Sequence, residues 1–327
     1  MRYELVKKDY MMKLDDVGGV AVDSKDNVYV ALRAPMTPII IFDKNGDFVD
    51  AIGTSLKVRN AHGIDVDAED NVLIVDGARH VVHKLSKTGE LLLTLGNLDT
   101  PSLESGAINS DFKTIKRGGP PFYNPAKVAT SKSCDIYVAD GYGNSRVHHF
   151  SKDGKLIRSW GEPGKGPGEF HIVHGIGVDQ DNGDVYVCDR ENLRIQIFDG
   201  DGNLKAIWDN LWRPTDVDIR GDYVYVSEIG EVLFTDNVYF DPKYHRHPSQ
   251  LRVFDKKGNE LAKIGTEDGG VPGSFMGAHG ICVDSSGDIY ACEVNNWCRH
   301  DAYAAWPNGL GAPTGVHPSF QKFKRID

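Results

Sequence analysis

Short segments in which apolar and polar residues alternate run through nearly the whole chain, with tight turns between them. An alternation of period two predicts half-buried β-strands, and the Asp-Gly, Asn-Gly and Lys-Gly pairs between segments predict hairpins. Two such hairpins are RVHHFSKD with GKLIRSWG from residue 146 and RIQIFD with GNLKAIW from residue 194. Helical periodicity is missing almost everywhere, so we predict an all-β protein.

The alternating segments belong to one unit that recurs six times. Each unit opens with a strand that ends near an Asp, continues through a turn, and adds a second strand that ends in a polar residue; most units then add two more strands. The openings are GGVAVDSKDNVYVAL from residue 18, HGIDVDAEDNVLIVD from 62, AKVATSKSCDIYVAD from 126, HGIGVDQDNGDVYVCD from 174, TDVDIRGDYVYVSE from 215 and HGICVDSSGDIYACE from 279. Six units of four strands predict a six-bladed β-propeller, a single domain over residues 1–327.

The two ends of the chain complete one blade in this prediction. Residues 3–8 resemble the fourth strand of a unit, and residues 320–327 resemble a third strand. We therefore expect N- and C-terminal strands to pair in the last blade, which would close the ring and remove an exposed sheet edge.

Histidine occupies the opening position of every second unit. In order, that position holds Gly18, His62, Ala126, His174, Thr215 and His279. Alternate blades of a six-bladed ring lie about 120° apart, so three imidazoles at one height would converge on the channel axis. One such histidine alone is most simply a polar residue at a strand end. Three in strict alternation predict a metal site, and three His ligands with one open position are typical of catalytic zinc; imidazole also suits iron, copper and nickel.

The loops that follow the second strands emerge on the same face as these histidines. They carry Arg33, Tyr142 and Arg190, and arginine suits carboxylates because its planar guanidinium makes a two-point contact. A tyrosine beside a Lewis-acidic metal can act as a base. Each residue alone could instead pair with a loop carboxylate or cap a turn. Three insertions in the repeat, at about 97–123, 229–248 and 294–318, also map to this metal face.

Composition and charge limit the classes of binding partner that the sequence supports. The net charge is −10, from 37 basic and 47 acidic residues, with no basic block, so we expect no nucleic-acid partner. No apolar run reaches the ~20 residues of a membrane helix, and residues 1–13 lack the apolar stretch of a signal peptide. The five cysteines form no CxxC pair. We therefore expect a cytoplasmic protein with no membrane partner; the oligomeric state is left open.

Several motifs carry a family resemblance that spans residue 17 to the end. GVAVDSKDNVYV, AHGIDVDAEDN, VADGYGNSRV, FSKDGKLIRSWG and VCDRENLRIQIF resemble the NHL-repeat catalytic core of peptidyl-α-hydroxyglycine α-amidating lyase. The resemblance implies a zinc lyase that cleaves an N-acyl-α-hydroxyglycine to an amide and glyoxylate. It implies that zinc is held by the three histidines, that Tyr142 is the catalytic tyrosine, and that Arg33 and Arg190 are the functional arginines that hold the substrate carboxylate.

The sequence also departs from that family. The family has a Met two residues before the third zinc histidine, and this chain has Gly277 there. We expect the neighbouring Met276 to make the substrate contact of the family's methionine. The family's calcium-ligating Asp is Gly280, which argues against a structural calcium, and the cysteine of its DGYCNSR motif is Gly143. We therefore expect a small carboxylate-bearing substrate such as ureidoglycolate. A related metal-dependent hydrolase or hydratase, and a non-catalytic NHL binding module, remain the alternatives.

Overall fold

The fold is a ring of six antiparallel sheets. The computed structural model describes residues 1–6, 14, 16–33, 39–230, 247–265, 272–294 and 319–327. Within these ranges the chain forms six four-stranded sheets, which confirms the all-β, six-bladed propeller. The predicted insertions at 229–248 and 294–318 lie almost entirely outside the described residues, whereas the insertion at 97–123 lies within them.

Blades 1 to 5 take their strands in chain order from the channel outward. Blade 1 contains β2 (Val17–Val22), β3 (Val28–Leu32), β4 (Ile39–Phe42) and β5 (Phe48–Ile52), and blade 2 contains β6 (Ala61–Val66), β7 (Val72–Asp76), β8 (Val81–Leu85) and β9 (Leu91–Leu95). Blade 3 contains β10 (Lys127–Thr130), β11 (Ile136–Asp140), β12 (Arg146–Phe150) and β13 (Leu156–Trp160). A short parallel pair, β14 (Glu162–Pro163) and β15 (Glu169–Phe170), precedes blade 4, which contains β16 (Val173–Val178), β17 (Val185–Asp189), β18 (Arg194–Phe198) and β19 (Leu204–Trp208).

Blades 5 and 6 complete the ring. Blade 5 contains β20 (Pro214–Arg220), β21 (Tyr223–Glu228), β22 (Gln250–Asp255) and β23 (Glu260–Ile264). Blade 6 contains β24 (Ala278–Val283), β25 (Ile289–Glu293), β26 (Phe320–Arg325) and, as its outer strand, β1 (Tyr3–Val6). The helical segments in the described ranges are 3-10 turns at Thr54–Leu56, Gly77–Arg79, Leu103–Ser105, Phe112–Thr114 and Arg190–Asn192. None of these turns has the length or apolarity that crossing a bilayer would require.

The two chain ends meet in blade 6, as the sequence predicted. Strand β1 pairs antiparallel with β26, in a register that places Tyr3 opposite Arg325 and Val6 opposite Lys322. Leu5 of β1 also packs into the apolar cluster that contains the fully buried Phe323. The pairing joins the first and last described strands, so the ring is held shut by backbone hydrogen bonds and by side-chain packing.

The hydrophobic core lies between neighbouring blades. Between blades 3 and 4, for example, Ala139 packs with Val173, Val187 and Phe198, all of which are buried. Successive side chains of a strand point to opposite faces of its sheet, and every residue of inner strands such as β3 and β7 is buried, so each blade needs neighbours that cover both of its faces. The blades therefore fold as one cooperative ring that holds the channel ends in fixed positions.

A buried carboxylate at the end of the second strand ties down the start of the first strand in most blades. The Asp76 carboxylate accepts hydrogen bonds from the backbone N–H groups of Arg59 and Asn60, at 2.9 and 3.1 Å. Asp189 accepts from the N–H of His171 at 2.7 Å in the same way. Asp140, Glu228 and Glu293 repeat the arrangement in blades 3, 5 and 6. These bonds fix the chain just before the opening positions, where the three histidines lie.

Candidate metal centre

The three predicted histidines meet on the channel axis. The ring centroids of His62, His174 and His279 lie 4.8 to 5.0 Å apart in every pairing, and one nitrogen of each lies within 4.8 Å of the others. All three side chains are buried. The geometry brings together the residues that the alternating column of the repeat predicted.

Each imidazole is anchored through its Nδ1 atom to the next blade. His62 Nδ1 lies 2.9 Å from the carbonyl oxygen of Ala126, His174 Nδ1 2.7 Å from that of Thr215, and His279 Nδ1 2.9 Å from that of Gly18. Since a carbonyl oxygen only accepts, each Nδ1 carries the proton. The Nε2 atoms are left with free lone pairs, which is the tautomer that a metal-binding histidine requires.

The electrostatic surroundings keep these imidazoles neutral. Burial, reinforced by the Arg33 guanidinium, holds the pKa of His62 well below its ordinary value. Burial and then Arg190 lower the pKa of His174, and burial followed by His62 and Arg33 does so for His279. Neutral imidazole is the form that binds a metal ion, so protons do not compete for the site near neutral pH.

Tyr142 reaches the same point from blade 3. Its hydroxyl oxygen lies 3.1 Å from His62 Nε2 and 3.0 Å from His174 Nε2. A phenol has one proton, so it can donate to only one of these two acceptors. The three converging Nε2 atoms each offer a lone pair, and the Tyr142 hydroxyl offers a single proton. The buried cluster therefore has more acceptors than donors. Such a cluster fits a divalent cation of the zinc type, which takes nitrogen ligands and leaves a position for substrate.

Two arginines flank this cluster, as predicted. Arg190 Nη1 donates to the Tyr142 hydroxyl at 3.2 Å, and its Nε donates to Glu191 at 2.9 Å. Arg33 lies 3.9 Å from Asp16, and its buried Nε finds no acceptor among the described residues. A Cβ at Gly18 would lie 3.4 Å from that Nε, so the small residue opening blade 1 leaves room for the Arg33 side chain.

The insertion at 97–123 builds the loop that presents Tyr142. Ser105 Oγ donates to the Gly143 carbonyl at 2.6 Å, and Asn144 exchanges two hydrogen bonds with the backbone of Gly119. A Cβ at Gly143 would lie 2.4 Å from the Tyr123 ring. The glycine that stands where the resembled family has a cysteine is therefore required by packing against the insertion, and the insertion lies beside the loop that carries Tyr142.

The role of Met276 stays a prediction. Its half-buried side chain lies three residues before His279, and its backbone N–H donates to the Glu293 carboxylate at 2.7 Å. That bond orients the segment leading into β24, but it does not show a contact between the Met276 side chain and the imidazoles.

An ion pair below the imidazoles was missed by the sequence analysis. Lys127 Nζ lies 2.7 Å from Asp216 Oδ2, both side chains are buried, and the two residues border the same axial space as the three histidines. Burial alone would lower the pKa of Lys127, but Asp216 outweighs it and raises that pKa. The sequence did contain an indication of this pair. At the second position of the repeat unit, directly after the histidine position, four units have glycine, whereas the third has Lys127 and the fifth has Asp216.

Comparisons with known proteins agree with this architecture. A family model described as "DUF5128: 6-bladed beta-propeller" matches residues 121–206. NHL repeat-containing protein 3 of Homo sapiens is 34% identical over 227 residues, which cover 64% of this chain and 61% of that protein. Peptidyl-alpha-hydroxyglycine alpha-amidating lyase 1 of Drosophila melanogaster is 32% identical over 256 residues, which cover 72% of this chain and 42% of that protein.

A solved structure shares the fold of this chain, and at low sequence identity the similarity concerns the fold alone. Virginiamycin B lyase from Staphylococcus aureus superposes with a TM-score of 0.58 over 99% of this chain and 100% of that chain, at 11% identity. The matched regions span less than two thirds of the length of the two curated relatives. The chain is a six-bladed β-propeller similar in sequence to NHL-repeat proteins and to peptidyl-α-hydroxyglycine α-amidating lyases, which confirms the resemblance drawn from its motifs.

Proposed function

We propose that this protein is a zinc-dependent lyase that cleaves the C–N bond of an α-hydroxy-amide, releasing an amide and glyoxylate or a similar carbonyl product. The observation that carries the proposal is the convergence of three Nε2 atoms on one point that also receives the Tyr142 hydroxyl. Similarity to amidating lyases supports the reaction class.

Zinc would be held by His62, His174 and His279, with their protons retained on Nδ1 by the carbonyl anchors. When bound, the ion supplies Lewis acidity, which stabilises negative charge on a substrate oxygen. Imidazole ligands equally suit other divalent transition metals, so the metal content needs direct measurement. No calcium is assigned, because Gly280 offers no side-chain oxygen at the position of the family's ligand.

Arg190 and Arg33 would hold the substrate carboxylate. Each guanidinium has five N–H donors and retains some of them beyond the contacts described above. A planar guanidinium meets a carboxylate with two parallel hydrogen bonds and thereby fixes the angle at which the substrate enters. The carbon that bears the hydroxyl would then lie next to the Tyr142 oxygen.

Tyr142, in its ionised form, would take the proton from the substrate hydroxyl. As that oxygen becomes a carbonyl, the C–N bond breaks and its electron pair stays on nitrogen. Tyr142 then returns the proton to the departing amide nitrogen, so the atoms and charge balance over the step. The N–H of Arg190 that donates to the phenol oxygen stabilises the negative charge this oxygen carries.

A metal assay combined with a substrate panel tests the proposal. We expect close to one zinc per chain by elemental analysis, and glyoxylate release from α-hydroxyhippurate or from ureidoglycolate. Chelator-treated protein should lose the activity and regain it with zinc. A metal-loaded protein that releases no carbonyl product from any member of the panel would point instead to a hydrolase or hydratase. A protein that binds no stoichiometric metal would be a non-catalytic NHL module.

A further inference from the structure

Glu191 joins two arginines beside the candidate site, and neither the motifs nor the resemblance assigned it a role. A single oxygen, Oε1, accepts from Arg190 Nε at 2.9 Å, from Arg213 Nη2 at 2.7 Å and from Arg213 Nε at 3.2 Å. The Glu191 side chain is only 4% exposed. Three N–H donors on one buried oxygen make a rigid cluster, since each lost bond would leave a buried charge unpaired.

We propose that Glu191 and Arg213 are positioning residues that hold the Arg190 guanidinium against the Tyr142 hydroxyl. This inference rests on the proposed function and extends it to two residues outside the substrate contact. The guanidinium is planar, so fixing its Nε on Glu191 also fixes the direction of its Nη1, which donates to Tyr142 at 3.2 Å.

The hydrogen-bond pattern explains why the position matters. The Arg190 N–H occupies one lone pair of the phenol oxygen and therefore fixes the side from which positive charge reaches that oxygen. Without this clamp of Glu191 and Arg213, Arg190 could turn toward solvent, and Tyr142 would lose the group that stabilises negative charge on its oxygen. The clamp therefore determines how Tyr142 is oriented and charged when substrate arrives.

The charge state of Glu191 agrees with this arrangement. Burial alone would raise the pKa of Glu191, but Arg190 and then Arg213 outweigh it and lower that pKa to about 2. The carboxylate therefore stays charged across the range in which an enzyme would work.

Steady-state kinetics on the zinc-loaded protein test the clamp. Glu191→Gln should lower kcat about 100-fold, the effect of a misplaced group near the reacting atoms, with zinc content unchanged. Arg213→Met should lower kcat about tenfold, while Arg213→Lys, which keeps the charge but not both N–H contacts with Glu191, should lower it less than Arg213→Met does. A purely structural role would lower the thermal midpoint of all three variants without moving kcat at 25 °C.

Lys84→Met is the matched control, because it breaks a buried ion pair of the same kind, Lys84–Asp67 at 2.7 Å, beyond the far end of β6. It should lower stability and leave kcat within about twofold of wild type. Unchanged kcat in both Glu191→Gln and Arg213→Met would overturn the positioning role.

A crystal structure of the Glu191→Gln variant tests the clamp without an activity measurement. Arg213→Met is the second choice if Glu191→Gln does not crystallise. We expect Arg190 Nη1 to move more than about 4 Å from the Tyr142 oxygen, outside hydrogen-bond range. An unmoved Arg190 would refute the clamp even if the wild type proves to be a lyase. Conversely, a wild type without lyase activity would refute the proposed function and leave this structural test decisive for the clamp.

Discussion

The Nδ1 atom of His62 donates a hydrogen bond to the carbonyl oxygen of Ala126, 2.9 Å away in the neighbouring blade. His174 and His279 make the same bond to the blade that follows each of them. The orientation of these three imidazoles is therefore set by the closed ring itself.

Replacing His174 by alanine should abolish tight metal binding while the ring still folds. Two imidazoles and a tyrosine do not make the three-nitrogen site, whereas the blades are held by packing between sheets. Elemental analysis should find less than about a tenth of the wild-type metal, and circular dichroism should show a cooperative melt. Global unfolding of this variant at ambient temperature would contradict the prediction.

Tyr142→Phe should retain the metal and lower kcat by about 10²- to 10⁴-fold, the usual size of a lost proton-transfer group. The phenol oxygen is the atom that both Arg190 and two imidazoles contact, and phenylalanine removes that atom alone. Metal content and kcat measured on the same preparation check this expectation. Activity close to that of the wild type would exclude Tyr142 as the base.

Acid should remove the contribution of Glu191 to stability. Folding lowers its pKa from 4.5 to about 2, so the unfolded chain takes up a proton on Glu191 first as the pH falls. The contribution is complete above pH 4.5 and is lost as the pH falls toward 2; it amounts to on the order of 3 kcal/mol. Urea unfolding of wild type and Glu191→Gln should show a stability difference that narrows by this amount from pH 5 to pH 2. A difference that stays constant over that interval would be inconsistent with the lowered pKa.

Breaking the axial ion pair on one side should cost about 3–5 kcal/mol of unfolding free energy, because Lys127→Met leaves the Asp216 carboxylate buried without its partner. The double variant Lys127→Met, Asp216→Asn should recover part of this loss, since it removes both charges and keeps an oxygen acceptor for the Ile281 N–H. Denaturant unfolding of the wild type, both single variants and the double variant gives the coupling energy. A loss in the double variant equal to the sum of the two single losses would show that the pair is not coupled.

Gly280→Asp, which restores the side chain that the resembled family uses for calcium, should destabilise the fold and create no calcium site. A Cβ at residue 280 would lie 2.8 Å from Cys292 Sγ and 3.2 Å from the Gly19 Cα, closer than ordinary contacts allow. Thermal melts with and without calcium check this. A rise in the melting temperature of the variant on adding calcium would contradict the prediction.

Much of the fold was readable from local pattern. Period-two alternation and the sixfold repetition predict the blades, and similarity of residues 3–8 and 320–327 to outer strands predicts the closure that β1 and β26 make. The histidine at the opening position of every second unit predicted that three imidazoles converge on the axis, because equivalent positions in a ring of repeats are related by its symmetry.

Contacts between side chains of different blades were decided only by the tertiary structure. Arg213 stands two residues before the opening position of its unit, and the other units have different residue types there, so the repeat pattern did not single it out. Its meeting with Arg190 on Glu191 depends on how two blades pack. Lys127 and Asp216 were visible as opposite charges in one column, yet only the closed channel places them 2.7 Å apart. Repetition determines which positions are equivalent along the chain. The distances between side chains that share no repeat position arise only when the blades pack and the ring closes.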